Sequence, residues 1–161
     1  MGLDMYLKAN KYVSGHDFNK DEEKALYRQI LKAVGTEDLV TSDSPGISVS
    51  TTVAYWRKAN AIHSWFVQNL ANGVDECQEV YVTAEDLEKL IAECQAALDL
   101  YKAGKIEEAG ERMQPASGFF FGSTKVDEWW ASDLKETIKQ LTPLIDPEVS
   151  KKFDFHYQAS W

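Results

Sequence analysis

The two ends of the chain alternate apolar and polar residues, and this period of two is the strongest constraint on the fold. Residues 3–8, "LDMYLK", follow the pattern, and so do residues 152–161, "KFDFHYQASW". Such alternation is typical of strands with one buried face. We therefore expect a strand at each end of the chain, and the two terminal strands can pair with each other.

The segments between the ends mix extended and helical patterns. Residues 47–56, 79–83 and 118–124, "ISVSTTVAYW", "EVYVT" and "GFFFGST", are rich in β-branched or aromatic residues and predict strands. Four longer helices are expected at about 20–34, 57–71, 84–102 and 124–144, with a shorter one at about 105–112. The whole pattern predicts one α+β domain over residues 1–161. Its sheet should be mixed or mainly antiparallel, with four or five strands and about four helices packed mainly on one face.

Capping residues mark several of the expected helix starts. Asn19 precedes the first helix. Thr83 with Asp86 has the spacing of a capping box, in which each of the two side chains satisfies the other residue's backbone N–H group. Thr124 with Asp127 has the same spacing.

Composition excludes several functional classes. The chain has 161 residues and a formal net charge of −9, which disfavours binding to long nucleic acids or to an anionic membrane surface. No apolar run is long enough to span a bilayer and no signal-peptide pattern is present, so we expect a cytoplasmic protein. Cys77 and Cys94 lack the spacing of a metal site, and we expect no metal and no cofactor.

Charge is distributed unevenly along this acidic chain. Between Ser44 and Val74 the only charged side chains are Arg57 and Lys58, and between Met113 and Val126 the only one is Lys125. Both segments are dense in aromatic residues. Carboxylates are thus kept out of two aromatic segments that carry cations, which favours an anionic ligand.

Both cationic clusters lie at expected helix starts, where unpaired N–H groups and the helix dipole attract anions. Cations for phosphate and aromatic rings for stacking are how nucleotides are often held. The candidate ligand-binding residues are Tyr6, Trp56, Arg57, Lys58, Asn60, His63, Ser123, Thr124 and Lys125.

Simpler interpretations of the same residues stay open. Arg57 and Lys58 could both lie on a solvent-exposed helix face. Alternatively, Arg57 could form an ion pair with Asp4 or Asp154. The segment 122–124 is also consistent with an ordinary turn before a helix, and His63 with a buried hydrogen-bonding residue.

The sequence contains none of the common catalytic motifs for hydrolases, zinc proteases or P-loop proteins. We therefore expect a binding protein rather than an enzyme. Trp129 and Trp130 are neighbours on one expected helix and cannot both face its core, because successive side chains point about 100° apart. One of them should meet a pocket, a loop or another subunit.

Four segments, "MGLDMYL", "YWRKANAIHSWF", "SGFFFGSTKVDEWW" and "FDFHYQASW", resemble those of a family of small uncharacterised phage and prophage proteins. The resemblance covers most of the chain and implies the cytoplasm of an infected bacterium as the setting. The chain also looks like the functional type of phage sponges, which sequester nucleotide immune signals of Thoeris or CBASS defence.

The resemblance and the charge pattern together suggest a protein that sequesters a phosphorylated signal, such as a cyclic ADP-ribose or a cyclic dinucleotide. We expect a homo-oligomer, because a subunit interface would help to bury the ligand. Two alternatives are an adaptor that inhibits a host enzyme through exposed aromatics and, less favoured, an enzyme that cleaves a nucleotide.

Overall fold

The structure is a computed structural model, and it describes residues 2–16, 20–41 and 44–161. These residues form four strands, β1 (Asp4–Ser14), β2 (Gly46–Arg57), β3 (Val80–Val82) and β4 (Asp154–Ser160). They also form six α-helices, α1 (Asp21–Val34), α2 (Asn60–Leu70), α3 (Ala84–Lys102), α4 (Ile106–Arg112), α5 (Glu128–Leu141) and α6 (Pro147–Ser150). A 3-10 helix, Thr142–Leu144, follows α5 at Pro143, because proline lacks the N–H group that an α-helix needs.

The strands form one antiparallel sheet in the order β2-β1-β4-β3, so the α+β prediction is confirmed. The terminal strands β1 and β4 are neighbours, as expected. In the β3–β4 pair, Val80 lies opposite Tyr157 and Val82 opposite Phe155. Because these partners share the buried side of the sheet, their side chains contribute to one core.

The chain forms two compact units, residues 10–51 and the remainder, Met1–Ala9 with Thr52–Trp161. In the smaller unit the hydroxyl of Tyr12 donates to the carbonyl of Pro45 at 2.7 Å, and the N–H group of Gly15 donates to the same carbonyl at 3.0 Å. Helix α1 ends at Gly35, which has the left-handed conformation that glycine adopts readily. The predicted cap, Asn19, lies outside the described residues.

The larger unit holds the main core and every residue of the site described below. Alternate side chains of β1 and β4, such as Met5, Leu7 and Phe155, are buried on the face that the helices cover. Phe66 of α2 stacks on Tyr157 of β4 with ring centroids 3.8 Å apart. These contacts fix α2 against the sheet, and α3 packs on α5 and α4 beside it.

Helix α3 begins as predicted. The hydroxyl of Thr83 accepts from the N–H group of Asp86 at 3.1 Å, and the Asp86 carboxylate accepts from the Thr83 N–H group at 2.9 Å. This capping box satisfies two backbone donors that a helix start leaves unpaired.

One predicted strand and two predicted helix starts are wrong. Residues 118–124 form a turn and an irregular segment rather than a strand. The N–H group of Phe121 donates back to the carbonyl of Gly118, and a Cβ at Gly118 would lie 2.5 Å from the Phe121 ring, so only glycine fits there. Helix α5 is capped by Asp127 itself, not by Thr124. Helix α2 begins at Asn60 because β2 continues to Arg57.

Candidate functional site

A cavity of about 290 Å³ brings the two cationic segments together in the larger unit. It is lined from one side by residues at the end of β2 and the start of α2, and from the other by residues between the 118–121 turn and the second turn of α5. Five of the nine predicted ligand-binding residues line it: Arg57, Lys58, Asn60, Ser123 and Lys125.

Asn60 joins the two segments. Its side chain is 5% exposed, and its Nδ2 donates to the carbonyls of Phe121 and Ser123 at 3.0 and 2.9 Å. Because these carbonyls belong to an irregular segment with no strand partner, the amide supplies donors that a neighbouring strand would otherwise supply. Asn60 therefore holds the cavity wall in place as well as lining it.

Lys58 has an uncommon backbone conformation, with φ at 61° in the left-handed region. Its N–H group donates to the carbonyl of Leu3 at 2.8 Å, and its own carbonyl accepts from Asn60 at the same distance. Gly122 packs on it, since a Cβ there would lie 3.5 Å from Lys58 Cβ. A non-glycine residue in this region is strained, and such strain tends to be kept at functional sites.

The lining is weakly positive, with three cations against the carboxylates of Asp127 and Asp133. Arg57 is partly neutralised, because its Nε lies 3.9 Å from the Asp4 carboxylate, one of the pairings considered from sequence. Asp4 also accepts a short hydrogen bond from the hydroxyl of Tyr55, which raises the pKa of that tyrosine. Within the described residues, neither Lys58 nor Lys125 forms an ion pair.

The two carboxylates in the lining differ in their surroundings. Asp127 accepts from the N–H groups of Trp129 and Trp130 at 3.0 and 3.2 Å, so its charge is used at the start of α5. The carboxylate of Asp133 accepts no hydrogen bond and forms no ion pair within the described residues. Partial burial, reinforced by the nearby Asp127 charge, raises the pKa of Asp133 to about 6.

The two neighbouring tryptophans of α5 face in different directions, as expected. Trp130 is buried, and its indole Nε1 donates to the carbonyl of Met113 at 3.1 Å. Trp129 is 81% exposed and lines the cavity. An exposed indole at the wall of a cavity with unpaired lysines is a surface on which a planar ring can stack.

Four predicted ligand-binding residues do not line this cavity. Trp56 is buried, and its indole Nε1 donates to the Thr137 hydroxyl at 2.9 Å. Tyr6 lies against Tyr55 on the face of β1 away from the core. Thr124 is exposed beside the cavity but outside its lining. Arg57 lies at the end of β2 and not on the expected helix, so Arg57 and Asn60 line the cavity from two different elements.

His63, the fourth, lies in a buried hydrogen-bonded chain. It is 1% exposed, its Nδ1 is 2.8 Å from the Tyr157 hydroxyl, and its Nε2 is 3.0 Å from the Asp75 carboxylate. Burial, followed by the Asp75 charge, raises the pKa of Tyr157 well above its usual value. The space beside this chain is only about 10 Å³, too small for a substrate, so the geometry favours the structural interpretation of His63.

Six lining residues were not among the nine predicted ligand-binding residues: Ala61, Gly122, Asp127, Trp129, Trp130 and Asp133. Asp133 follows Trp129 by four positions, so both lie on the same face of α5. This spacing could have indicated that Asp133 lines the same pocket as Trp129. Gly122 adjoins the predicted residues Ser123 and Thr124 and has φ at 89°, a conformation that favours glycine.

A larger groove of about 560 Å³ runs along α4, but its lining carries Glu107 and Glu111 and no cation. It therefore does not suit an anionic ligand. No group of three or more His, Cys, Asp or Glu side chains in the described part of the chain could hold a metal ion.

Among the described residues, no helix is both long and apolar enough to cross a bilayer. The chain matches no protein-family model, and comparisons with curated proteins and with solved structures give no match either.

Proposed function

We propose that the protein binds a phosphorylated, nucleotide-type small molecule in the 290 Å³ cavity and acts by sequestering it. One observation carries the proposal: Lys58 and Lys125, remote in sequence, line the same cavity without ion-pair partners among the described residues. Trp129 offers a stacking surface at the same wall. The ligand's phosphate would contact the lysines and its base would stack on the indole.

The chemistry is sufficient for tight binding. A charge-assisted hydrogen bond contributes about 1.5–3 kcal/mol and stacking of a base about 1–3 kcal/mol. Several such contacts approach the roughly 12 kcal/mol of a nanomolar complex only if the cavity is preorganised. The amide of Asn60 and the packing of Gly122 on Lys58 provide this preorganisation.

The cavity volume favours a single nucleotide unit. Ligand pockets commonly span about 300–1,000 Å³, and 290 Å³ is at the lower end. A cyclic dinucleotide would extend beyond this cavity onto the exposed ring of Trp129 or into a cavity of a second subunit. The expectation of a homo-oligomer belongs to this part of the proposal.

The lining favours binding over cleavage. Its described residues include no His and no Cys, and the Asp127 carboxylate is used as a helix cap. Within the described part of the chain, Asp133 is then the one carboxylate of the lining without a hydrogen bond, so the lining offers no acid–base pair. In the phage setting that the sequence resemblance implies, a protein that holds a nucleotide signal without cleaving it would inhibit host defence.

The test is to incubate the purified protein with a nucleotide panel, wash it, denature it by heat and identify the released molecules. The panel contains nucleoside monophosphates, cyclic ADP-ribose and cyclic dinucleotides. Recovery of an intact nucleotide only after heating supports sequestration. Recovery of an altered nucleotide would replace the proposal with an enzyme, and recovery of none would contradict it.

A second candidate function, an adaptor that binds a host protein, is favoured by one observation. Phe119 is 94% exposed at the tip of the 118–121 turn, and Trp129 is also largely exposed. Single exposed aromatics of this size are typical anchors of protein interfaces. The variant Phe119→Ser separates the two candidates, because it should abolish an adaptor's inhibition of its host target and leave nucleotide recovery unchanged.

A further inference from the structure

We infer that the base of the bound nucleotide is guanine, recognised by the Asp133 carboxylate while it stacks on Trp129. This inference rests on the proposed function, because it names the ligand class of the same cavity. It is carried by the position of Asp133, by its lack of a partner among the described residues and by the presence of cations and an unpaired carboxylate in one lining.

Asp133 and Trp129 form a neighbouring pair on α5. They are four residues apart, so their side chains leave the same face of the helix, and both line the cavity. A planar ring stacked on the indole would therefore present one edge to the carboxylate. The remainder of the molecule would extend toward the end of β2 and the 122–125 segment.

The lining cations do not neutralise Asp133. No ion pair joins it to Arg57, Lys58 or Lys125 within the described residues, although all four side chains line one cavity. Burial and the nearby Asp127 charge raise the pKa of Asp133 to about 6. The lining therefore carries cations together with one carboxylate that has no cationic partner among the described residues. A ligand that fits both carries negative charge at one end and hydrogen-bond donors at the other.

An ionised carboxylate accepts hydrogen bonds and donates none. Guanine is the common base whose edge places two donors side by side, the ring N1–H and the exocyclic N2 amine, and a carboxylate accepts from both at once. The adenine amine lies beside ring nitrogens that are acceptors, and these would face the carboxylate unfavourably. The Asp133 carboxylate thus selects guanine over adenine.

The energetic reason for this selection is the same partial burial. A carboxylate that is partly removed from water without a partner is unfavourable, and a ligand that supplies two donors removes that cost. A base without two adjacent donors, such as adenine, would leave the carboxylate unpartnered and that cost unrelieved. Sites with buried polar groups discriminate strongly against ligands that leave those groups unpaired.

The experiment compares guanosine, inosine, adenosine and xanthosine 5′-monophosphates by calorimetric titration at pH 7.5. The native protein should bind the guanosine form about tenfold or more tightly than the adenosine form, with the inosine form between them because it lacks the N2 amine. In Asp133→Asn the guanosine preference should disappear and xanthosine binding should rise. The reason is that xanthine has a carbonyl where guanine has the N2 amine, and the asparagine side-chain amide that replaces the Asp133 carboxylate can donate to this carbonyl.

The matched control is Glu136→Gln, which removes the same charge from an exposed site on the same helix and should keep the guanosine preference. If the adenosine and guanosine forms bind the native protein equally and Asp133→Asn changes neither, the guanine inference fails and the proposed function stands. If the nucleotide panel described above yields no ligand either, the proposed function fails with it. The comparison within the native protein gives a result even if the variant does not fold.

Discussion

The side-chain amide of Asn60 donates to the backbone carbonyl of Ser123 at 2.9 Å, across 63 residues of sequence. The same nitrogen donates to the carbonyl of Phe121. These bonds join the start of α2 to the irregular segment before α5, and the cavity lies where the two meet. The meeting of the two cationic segments thus depends on a residue that was expected only to contact ligand.

Replacing Asn60 with alanine should therefore affect both stability and binding. The loss of two buried hydrogen bonds, with two carbonyls left without donors, should lower the free energy of unfolding by about 2 kcal/mol in urea denaturation. Nucleotide affinity should fall with it, because the 121–125 segment loses its anchor.

Asn69→Ala is the matched control for this change. The Asn69 amide donates to the carbonyl of Trp65 at 2.9 Å on the same helix, and Asn69 does not line the cavity. This variant should be mildly destabilised and should bind nucleotide normally. Normal binding by Asn60→Ala as well would show that the anchor is unimportant for the site.

Lys58→Gly should separate stability from binding. The left-handed conformation at φ 61° costs a non-glycine residue about 1 kcal/mol, and glycine removes that cost. The melting temperature should therefore rise slightly. Nucleotide affinity should fall at least about tenfold, since one charge-assisted contact is lost. A variant that is less stable and still binds would identify Lys58 as a structural residue.

Tyr157→Phe tests the buried chain through His63. It removes the hydroxyl that is 2.8 Å from His63 Nδ1 and should cost about 1 kcal/mol of stability. His63→Ala should cost about 3 kcal/mol, because it leaves a cavity and two polar groups without their partner. Thermal melts measure both variants, and Tyr157→Phe should keep native nucleotide affinity. Loss of binding with a native melting temperature would instead give this chain a functional role.

Asp133 should make stability depend on pH in an uncommon direction. Its pKa is about 6 in the folded protein against 3.8 for an unperturbed aspartate, so the folded state binds the proton more tightly. Between those two values its contribution to stability increases as pH falls.

Comparing Asp133→Asn with the native protein at pH 7.5 and pH 4.5 isolates this contribution. The variant should be more stable by about 1 kcal/mol at pH 7.5, allowing for solvent screening, and the difference should shrink toward zero at pH 4.5. A difference that is equal at both pH values would rule out the raised pKa.

Local patterns predicted much of the fold. The terminal strands and the Thr83–Asp86 capping box are correct because each depends on residues near one another in sequence. The three consecutive phenylalanines at 119–121 were misassigned to a strand, since β propensity describes the residues and not their partners. Gly118 permits a turn there, and Asn60, which is remote in sequence, supplies the donors.

The site was also predictable only where it depends on residues close together in sequence. The cationic residues could be found from the absence of nearby carboxylates in sequence, yet Asp127 and Asp133 enter the cavity through the folding of α5. His63 was grouped with the ligand residues because it lies in the same cationic, aromatic segment as Arg57 and Asn60. Its side chain instead lies toward β4, where Tyr157 and Asp75 are its partners.

The most direct test compares two double variants that remove the same net charge. Lys58→Gln with Lys125→Gln changes the cavity, and Lys102→Gln with Lys105→Gln changes two lysines in exposed ion pairs on the surface. With the nucleotide panel in calorimetric titration, the cavity variant should lose about 100-fold or more in affinity and the surface variant should bind like the native protein. Equal affinities of the two variants for every bound nucleotide would contradict the assignment of this cavity as the binding site.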